Sequence, residues 1–267
     1  MAFLAVIEKE FRMFFRYPLR VLSSILVGIV FLVQFVYFGE AILGGRYSSL
    51  LQASTGVGDY PTYALIGYVL WWVSSSPLEA SVWGIRRELQ RGTLESNVAS
   101  PMGLQEMVVS LAVSWMLMDS VVMAVVFLAG VVTFGVNLSW TALLKALPVI
   151  GLAFLAFLGS GLIFAGLVMV LKNIGPFAQI FEFLVLFLSG VFFPLSTLPG
   201  WVASVSKLIP LTHAASAVRK LLVGMSYSAV TGEVLWLAAL TPLYWLVSYA
   251  VFRWAEKTAR VMGYGGY

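Results

Sequence analysis

Few side chains in this sequence have the chemistry for catalysis or metal binding. Its 267 residues include one histidine, His213, and no cysteine, which excludes a zinc site built on paired histidines and any thiolate chemistry. Two acids, Asp119 and Glu182, lie inside long apolar segments. Acids at such positions can carry protons, meet a cationic ligand or form a hydrogen bond between helices. The pattern favours a hydrogen bond for Asp119 and leaves both interpretations open for Glu182.

Motifs of membrane-embedded enzymes are incomplete in this chain. Gly159-Ser160-Gly161 resembles a serine nucleophile turn, but Leu158 stands where a rhomboid-type protease needs glycine. Asp119 lacks the flanking glycines of intramembrane aspartyl proteases. No Gly-x-x-x-x-Gly-Lys-Ser/Thr segment is present, so the chain has no phosphate-binding loop for ATP. We therefore predict that the chain is not an enzyme and binds no metal or cofactor. The small residues around Ser160 instead favour close helix packing.

Composition places these residues in a membrane. Apolar residues make up 61% of the chain and charged residues 10%, whereas a soluble domain has about 25% charged residues. Crossing about 30 Å of hydrocarbon takes about 20 apolar residues. Six segments are long enough: 19–43, 60–83, 104–134, 142–171, 174–195 and 234–254. We expect an all-α membrane protein with six transmembrane helices, folded as a single domain over residues 1–267.

The basic residues predict the orientation. Most of the 16 Lys and Arg residues fall on one side if both termini are cytoplasmic, as the positive-inside rule requires. Residues 1–18 alternate apolar and basic positions at helical spacing, with Phe3, Ile7 and Phe11 on one face and Lys9 on the other. This pattern is typical of a helix lying at the membrane surface. A general anchor and a specific docking helix remain alternatives.

A charged segment, 84–101, separates the second and third apolar segments. It holds Arg86, Arg87, Glu88, Arg91 and Glu95, which lipid cannot accept together. Its positive charge predicts a cytoplasmic position. Residues three and four apart, such as Glu88 and Arg91, can pair along one helical face, and Gly92 permits close approach of a partner. Charge alone favours a solvated loop.

Residues 194–222 are divided by prolines, among them Pro199 and Pro210. The pieces between the prolines are too short to cross the membrane. We predict two short helices that form a re-entrant hairpin in the outer membrane face, with His213 making a polar contact there. Irregular backbone at that depth must be bonded by protein or by water in a cavity. The hairpin thus indicates a lid over a pathway.

Together these features resemble the permease subunits of the ABC-2 family of ATP-binding-cassette exporters, which includes drug permeases of the daunorubicin-resistance type and exporters of nodulation factors and polysaccharides. The resemblance extends from residue 1 to about residue 260, and none of its motifs specifies a cargo. Four features carry it: the N-terminal interfacial helix, the Glu88-Leu-Gln-Arg-Gly-Thr-Leu-Glu95 to Ser100-Pro101 segment, Gly190-Val-Phe-Phe-Pro-Leu-Ser-Thr-Leu-Pro199, and Ile209-Pro-Leu-Thr-His213 followed by Arg219.

The resemblance implies that the 84–101 segment is a coupling helix seated in a cleft of a separate ATPase subunit. That partner would bind ATP and Mg²⁺. The pathway would lie between two permease copies, either identical or related. The candidate coupling residues are Arg87, Glu88, Arg91, Gly92, Thr93 and Glu95. The candidate pathway residues are Trp71, Trp72, Asp119, Glu182 and Phe187, and lipid-facing positions are an equal alternative for the three aromatic ones.

Two interpretations of function follow. In the first, the chain is an export permease of the cell membrane, in contact with lipid, and its cargo is an amphipathic drug, a lipid or a lipid-linked glycan. In the second, it is a self-sufficient ion-coupled transporter or channel that uses Asp119 and Glu182. Inverted repeats would support the second, and none is apparent. The scattered Lys and Arg residues do not indicate nucleic-acid binding.

Overall fold

The computed structural model describes residues 2–92, 102–137 and 140–262. These parts of the chain are helical and contain no β-strand, apart from one isolated bridge between Tyr47 and Asp59. The helices are α1 (Ala2–Arg16), α2 (Pro18–Leu43), α3 (Ser49–Thr55), α4 (Tyr60–Arg91), α5 (Leu104–Phe134), α6 (Trp140–Leu171), α7 (Gly175–Leu188), α8 (Gly200–Ser206), α9 (Pro210–Leu222) and α10 (Thr231–Met262).

Four of these helices are long and apolar enough to cross a membrane. They are α2, α5, α6 and α10, and they match four of the six predicted spans. The second predicted span, 60–83, is the apolar part of α4, which continues without a break into the charged residues up to Arg91. The fifth, 174–195, is helical only over Gly175–Leu188. At 1.5 Å per residue α7 measures about 21 Å, less than the hydrocarbon thickness of about 30 Å.

The bundle has two ends with different chemistry. We call one the hairpin end, because it contains α8, α9 and the first residues of α4. We call the other the charged end, because it contains α1 and the last turns of α4. Tyr17, with φ −117°, breaks the chain between α1 and α2, and Pro18 opens α2. α1 then packs against α5 and buries Phe14.

Helix α6 is the centre of the bundle and packs against both α4 and α10. Small residues in α6 allow the backbones of these helices to approach closely. A Cβ atom on Gly161 would lie 2.6 Å from the Pro77 carbonyl oxygen of α4. A Cβ on Gly159 would lie 3.1 Å from the backbone of Tyr244 in α10. Because lipid chains are as apolar as leucine, such close backbone contact supplies much of the attraction between helices in a membrane.

A buried arginine closes the hairpin end. α7 ends at Leu188, and Gly190 follows in the left-handed conformation with φ +70°, which glycine adopts without a steric penalty. The carbonyls of Gly190 and Val191 accept hydrogen bonds from Arg219 of α9, with N···O distances of 2.8 and 2.6 Å. Arg219 also donates to the Tyr63 carbonyl of α4, at 3.0 and 3.2 Å.

The surroundings of Arg219 are shaped to receive its guanidinium. The group lies 3.4 Å from the centroid of the Tyr63 ring, which adds a cation–π attraction. Gly67 provides the space, because a Cβ there would lie 2.3 Å from Nη2 of Arg219. The side chain of Arg219 thus joins α4, α9 and the segment after α7.

Polar contacts join α9 to α10 and to the end of α8. Lys220 forms an ion pair with Glu233 near the start of α10, and Ser216 donates to the same carboxylate at 3.2 Å. His213 forms a 2.8 Å hydrogen bond with the Lys207 carbonyl. Its ring stacks on Trp236, with the centroids 5.8 Å apart. The one histidine of the sequence is therefore engaged in packing the hairpin end.

Glycine 161 gives a direct test of the α4–α6 contact. Gly161→Ala should destabilise the fold by about 1–3 kcal/mol, because the new methyl group would meet a backbone oxygen that cannot move aside. Gly151→Ala in the same helix is the control, since no atom of the residues that the structure describes lies within 4 Å of its Cβ position. Thermal unfolding in detergent should show a lower midpoint for the first variant only. Equal midpoints would contradict the contact.

Arginine 219 gives a second test. Arg219→Lys keeps the charge but loses the planar fork that reaches three carbonyls, so we expect a loss of stability on the order of 3 kcal/mol. Arg46→Lys is the matched control, because Arg46 binds Asp59 and the Phe134 carbonyl at the same end of the bundle in a more exposed position. A midpoint for Arg219→Lys no lower than that of the control would show that the fork is dispensable.

Candidate functional site

Helix α4 carries two of the five candidate pathway residues, Trp71 and Trp72. Trp71 and Trp72 lie next to each other on it, half-buried, with their rings at an edge-to-face angle of 86°. Both rings also contact Tyr68, which packs against Phe35 of α2. The two tryptophans therefore belong to an aromatic cluster that joins α2 to α4.

Glu182 of α7 faces this part of α4. The Trp71 indole lies 3.4 Å from the Glu182 carbonyl oxygen and donates a hydrogen bond to it. The Glu182 carboxylate is also close enough to Glu79 of α4 for the two to interact electrostatically. α4 and α7 thus share an acidic surface, which includes the exposed side chain of Glu79.

Sequence reasoning missed Glu79. It lies at the border between the apolar part of α4 and the charged segment, so it reads as an ordinary membrane-boundary residue. Its spacing held the signal: Trp72, Ser75 and Ser76 precede it by seven, four and three residues, which places all four residues along one side of a helix. That side faces α7 and α5, where the other two intramembrane acids lie.

Asp119 of α5 lies in the interface with α4. Its Oδ2 accepts a hydrogen bond from the Ser76 hydroxyl, as the sequence interpretation favoured. Glu79 is close enough to interact with it electrostatically, and so is Arg20 of α2. The start of α2 brings Arg20 near Asp119. Ser76 and Glu79 therefore link Asp119 to the same side of α4 as Glu182.

Phe187 differs from the other candidates. It projects from α7 with 58% of its surface exposed, and Phe183, one turn earlier, is exposed as well. In a membrane this surface meets either lipid or another protein.

The charged end of α4 holds the candidate coupling residues that can be described. Arg87 donates from Nε to the Trp83 carbonyl at 3.2 Å, and its guanidinium lies 5.4 Å from the Trp115 ring of α5. Gly92 ends the helix at φ +66°, and among the described residues no atom lies within 4 Å of its Cβ position. The end of α4 is therefore supported by α5 at Arg87.

The predicted coupling segment, 84–101, is only partly described. Residues 84–91 are the last turns of α4 rather than a separate helix. Thr93 and Glu95 lie outside the described residues, as does the side chain of Arg91. The predicted pairing of Glu88 with Arg91 therefore remains a prediction.

The described part of the chain contains no group of three or more His, Asp or Glu side chains placed to hold a metal ion. The acids near α4 come one from each of three helices and share hydrogen bonds with serine and contacts with tryptophan. What this arrangement can do is receive a positive charge or a proton between α4, α5 and α7.

Comparison with known proteins agrees with the fold in indicating a membrane protein. The sequence model of the ABC-2 type transporter family matches residues 1–223. Nodulation protein J of Rhizobium meliloti (strain 1021) is 37% identical over 92 residues, which cover 32% of each chain. Nodulation protein J of Rhizobium leguminosarum bv. viciae is 33% identical over 121 residues, or 43% of this chain and 44% of the relative. The chain thus matches less than half the length of these relatives.

The family match and the apolar helices agree on the kind of protein. Members of this family are membrane components of transporters and are not themselves catalytic. Four helices that can cross a membrane make the chain a multi-pass membrane protein. Because the family model covers most of the sequence, from the first residue to the end of the α9 region, the chain belongs to the ABC-2 type transporter family.

Proposed function

We propose that the chain is the permease subunit of an ATP-driven exporter in the cell membrane, with both termini in the cytoplasm. The charged end of the bundle then faces the cytoplasm, and the hairpin end faces outward. ATP and Mg²⁺ bind a separate ATPase subunit, which contacts the 84–101 segment. One observation carries this proposal: α4 runs unbroken from the charged residues of that segment to Tyr63, which Arg219 holds at the hairpin end.

The length of α4 gives the proposal a mechanical basis. Its 32 residues extend about 48 Å at 1.5 Å per residue, more than the hydrocarbon thickness of about 30 Å. A displacement of its charged end by an ATPase subunit therefore acts on the same helix that carries Trp71 and Glu79, with Pro77 between Trp71 and the charged end. Arg87 against Trp115 extends the same displacement to α5.

A second permease copy completes the pathway. Only 17% of the most apolar 18-residue stretch of α2 is buried inside the chain. α7 in turn exposes Phe177, Phe183 and Phe187. These helices flank the acidic surface of Glu79 and Glu182. A copy placed across this surface, identical or related, encloses the acids between two chains. A cargo with an apolar body and a positive charge fits such a surface, among the drugs, lipids and lipid-linked glycans considered above.

The ion-coupled alternative has one observation in its favour. Glu79 is within electrostatic range of both Asp119 and Glu182, so α5, α4 and α7 each bring one acid to the same region, and acids inside a membrane can carry protons. This alternative needs no ATPase subunit. Co-purification with a stoichiometric ATPase therefore separates the two functions.

Removing charges from the coupling segment tests the export function. Glu88→Ala combined with Arg91→Ala should leave the permease folded but abolish cargo-stimulated ATP turnover, because the contact with the ATPase subunit is lost. Glu256→Ala with Arg260→Ala is the control, since it removes an i, i+4 pair of opposite charges near the cytoplasmic end of α10. Turnover should be measured on the complex in lipid nanodiscs. Normal turnover in the first variant would remove the coupling assignment.

Substitution of Asp119 tests the role of this acid. Asp119→Asn keeps an oxygen that can accept the hydrogen bond from Ser76, so we expect wild-type stability and transport. Asp119→Leu cannot accept that bond and leaves the Ser76 hydroxyl only the Trp72 carbonyl, 3.3 Å away, so the fold should lose about 1 kcal/mol, the net contribution of one hydrogen bond. Complete loss of transport in a stable Asp119→Asn protein would show that the negative charge itself is required.

A further inference from the structure

A polar cavity opens at the hairpin end, beside Arg219. Its volume is about 130 Å³, and by the same kind of measure one water molecule needs about 10–15 Å³. Residues of α3, α4 and α9 and of the segment after α7 line it. Exposed Ser54 and Ser196 stand among its lining residues, together with buried Thr212 and Arg219.

The Thr212 hydroxyl is the first observation that points to a ligand. Thr212 is 7% exposed, and its Oγ1 is buried without a hydrogen-bond partner in the described structure. An unpaired buried hydroxyl destabilises a protein by about 1–3 kcal/mol. Buried hydroxyls are nearly always paired, so this one indicates a partner that the chain does not supply.

Arg219 is the second observation. It is 4% exposed, and its four hydrogen bonds all go to neutral carbonyls. A guanidinium has five N–H groups, so one of the two on Nη1 remains available. Within the described ranges, no carboxylate forms an ion pair with Arg219. Glu233 hydrogen-bonds to Ser216 on the cavity wall, but its charge is balanced by Lys220.

We propose that this cavity binds a phosphate-type oxyanion, with Thr212 and Arg219 as donors. A buried cation without an anionic partner is costly, and an oxyanion accepts short, charge-assisted hydrogen bonds from guanidinium and hydroxyl groups. Thr212 lies in the first turn of α9, where the helix dipole favours negative charge. The anion is either free in solution or the headgroup of an outer-leaflet lipid. The site does not depend on ATP-driven export.

The experiment compares Thr212→Val with Ser204→Ala in the purified full-length chain in dodecyl maltoside. Valine has the shape of threonine without its hydroxyl, and Ser204 is an exposed hydroxyl of α8 bonded to the Gly200 carbonyl. Inorganic phosphate is titrated at constant ionic strength against chloride, and binding is followed by ³¹P line broadening and by the unfolding midpoint. We expect saturable binding, weakened at least fivefold by Thr212→Val and unchanged by Ser204→Ala.

The unfolding midpoint measured without phosphate distinguishes a binding site from a packing defect. In chloride alone, Thr212→Val should unfold at the wild-type midpoint or above it, because it removes an unpaired hydroxyl. Wild type should gain stability from phosphate and the variant should gain less. A variant that is more stable than wild type while neither protein responds to phosphate or to a phospholipid would overturn the proposal.

A second titration identifies the source of the anion. Dihexanoylphosphatidylglycerol is compared with dihexanoylglycerol, which lacks the phosphate, both below their aggregation concentrations. Binding of the phospholipid alone, weakened by Thr212→Val, assigns the site to a lipid headgroup. Binding of both inorganic phosphate and phospholipid, with the same weakening, assigns it to the free oxyanion. Equal binding of the two lipids, or identical binding by both variants, would contradict the proposal.

Discussion

The structure depends on one requirement of the bilayer: every backbone polar group at membrane depth must be hydrogen-bonded within the protein or to water. α7 stops after 14 residues, which leaves the carbonyls that follow it without helical partners. Arg219 meets this requirement for Gly190 and Val191 and reaches Tyr63 of α4 with the same side chain. An arginine suits the position because its planar fork reaches several acceptors at once. The hairpin of α8 and α9 can therefore occupy the depth that a longer α7 would otherwise cross.

The other half of the architecture depends on small residues. Lipid gives no hydrophobic driving force between helices, so α6 holds α4 and α10 through backbone contact at Gly159 and Gly161. α4 is consequently fixed at its middle by α6, at its hairpin end by Arg219 and at its charged end by the contact of Arg87 with Trp115. Pro77 lies inside α4 near its middle level, where a proline removes one helix hydrogen bond. Glu79 of the acidic surface lies at the middle level, because it falls between Pro77 and Ser81, the two residues that Gly161 of α6 approaches.

Much of this could be predicted from the sequence, for physical reasons that also explain the misses. Hydropathy over about 20 residues found α2, α5, α6 and α10, because each is apolar along its length. Hydropathy could not show that α4 continues as a helix beyond Trp83 to Arg91, since a helix is held by backbone hydrogen bonds, which charged side chains do not interrupt. The end of α7 at Leu188 was missed because the apolar run continues to residue 195 while Gly190 turns the chain. Arg219 was noticed only as part of a motif, because its partners are carbonyls, which every residue possesses. Glu79 was missed because its partners belong to α5 and α7.

The short α7 also acts on the lipid around it. A helix about 21 Å long is about 9 Å shorter than the hydrocarbon layer, and the remaining depth is filled by the turns and short helices of the hairpin, with Trp201 exposed at its rim. Lipids beside a short hydrophobic segment compress or tilt, at fractions of a kcal/mol per Å of mismatch. In the membrane arrangement proposed above, we expect the leaflet beside α7 to be thinner wherever the hairpin leaves that depth uncovered, which would shorten the distance over which a polar group must leave water.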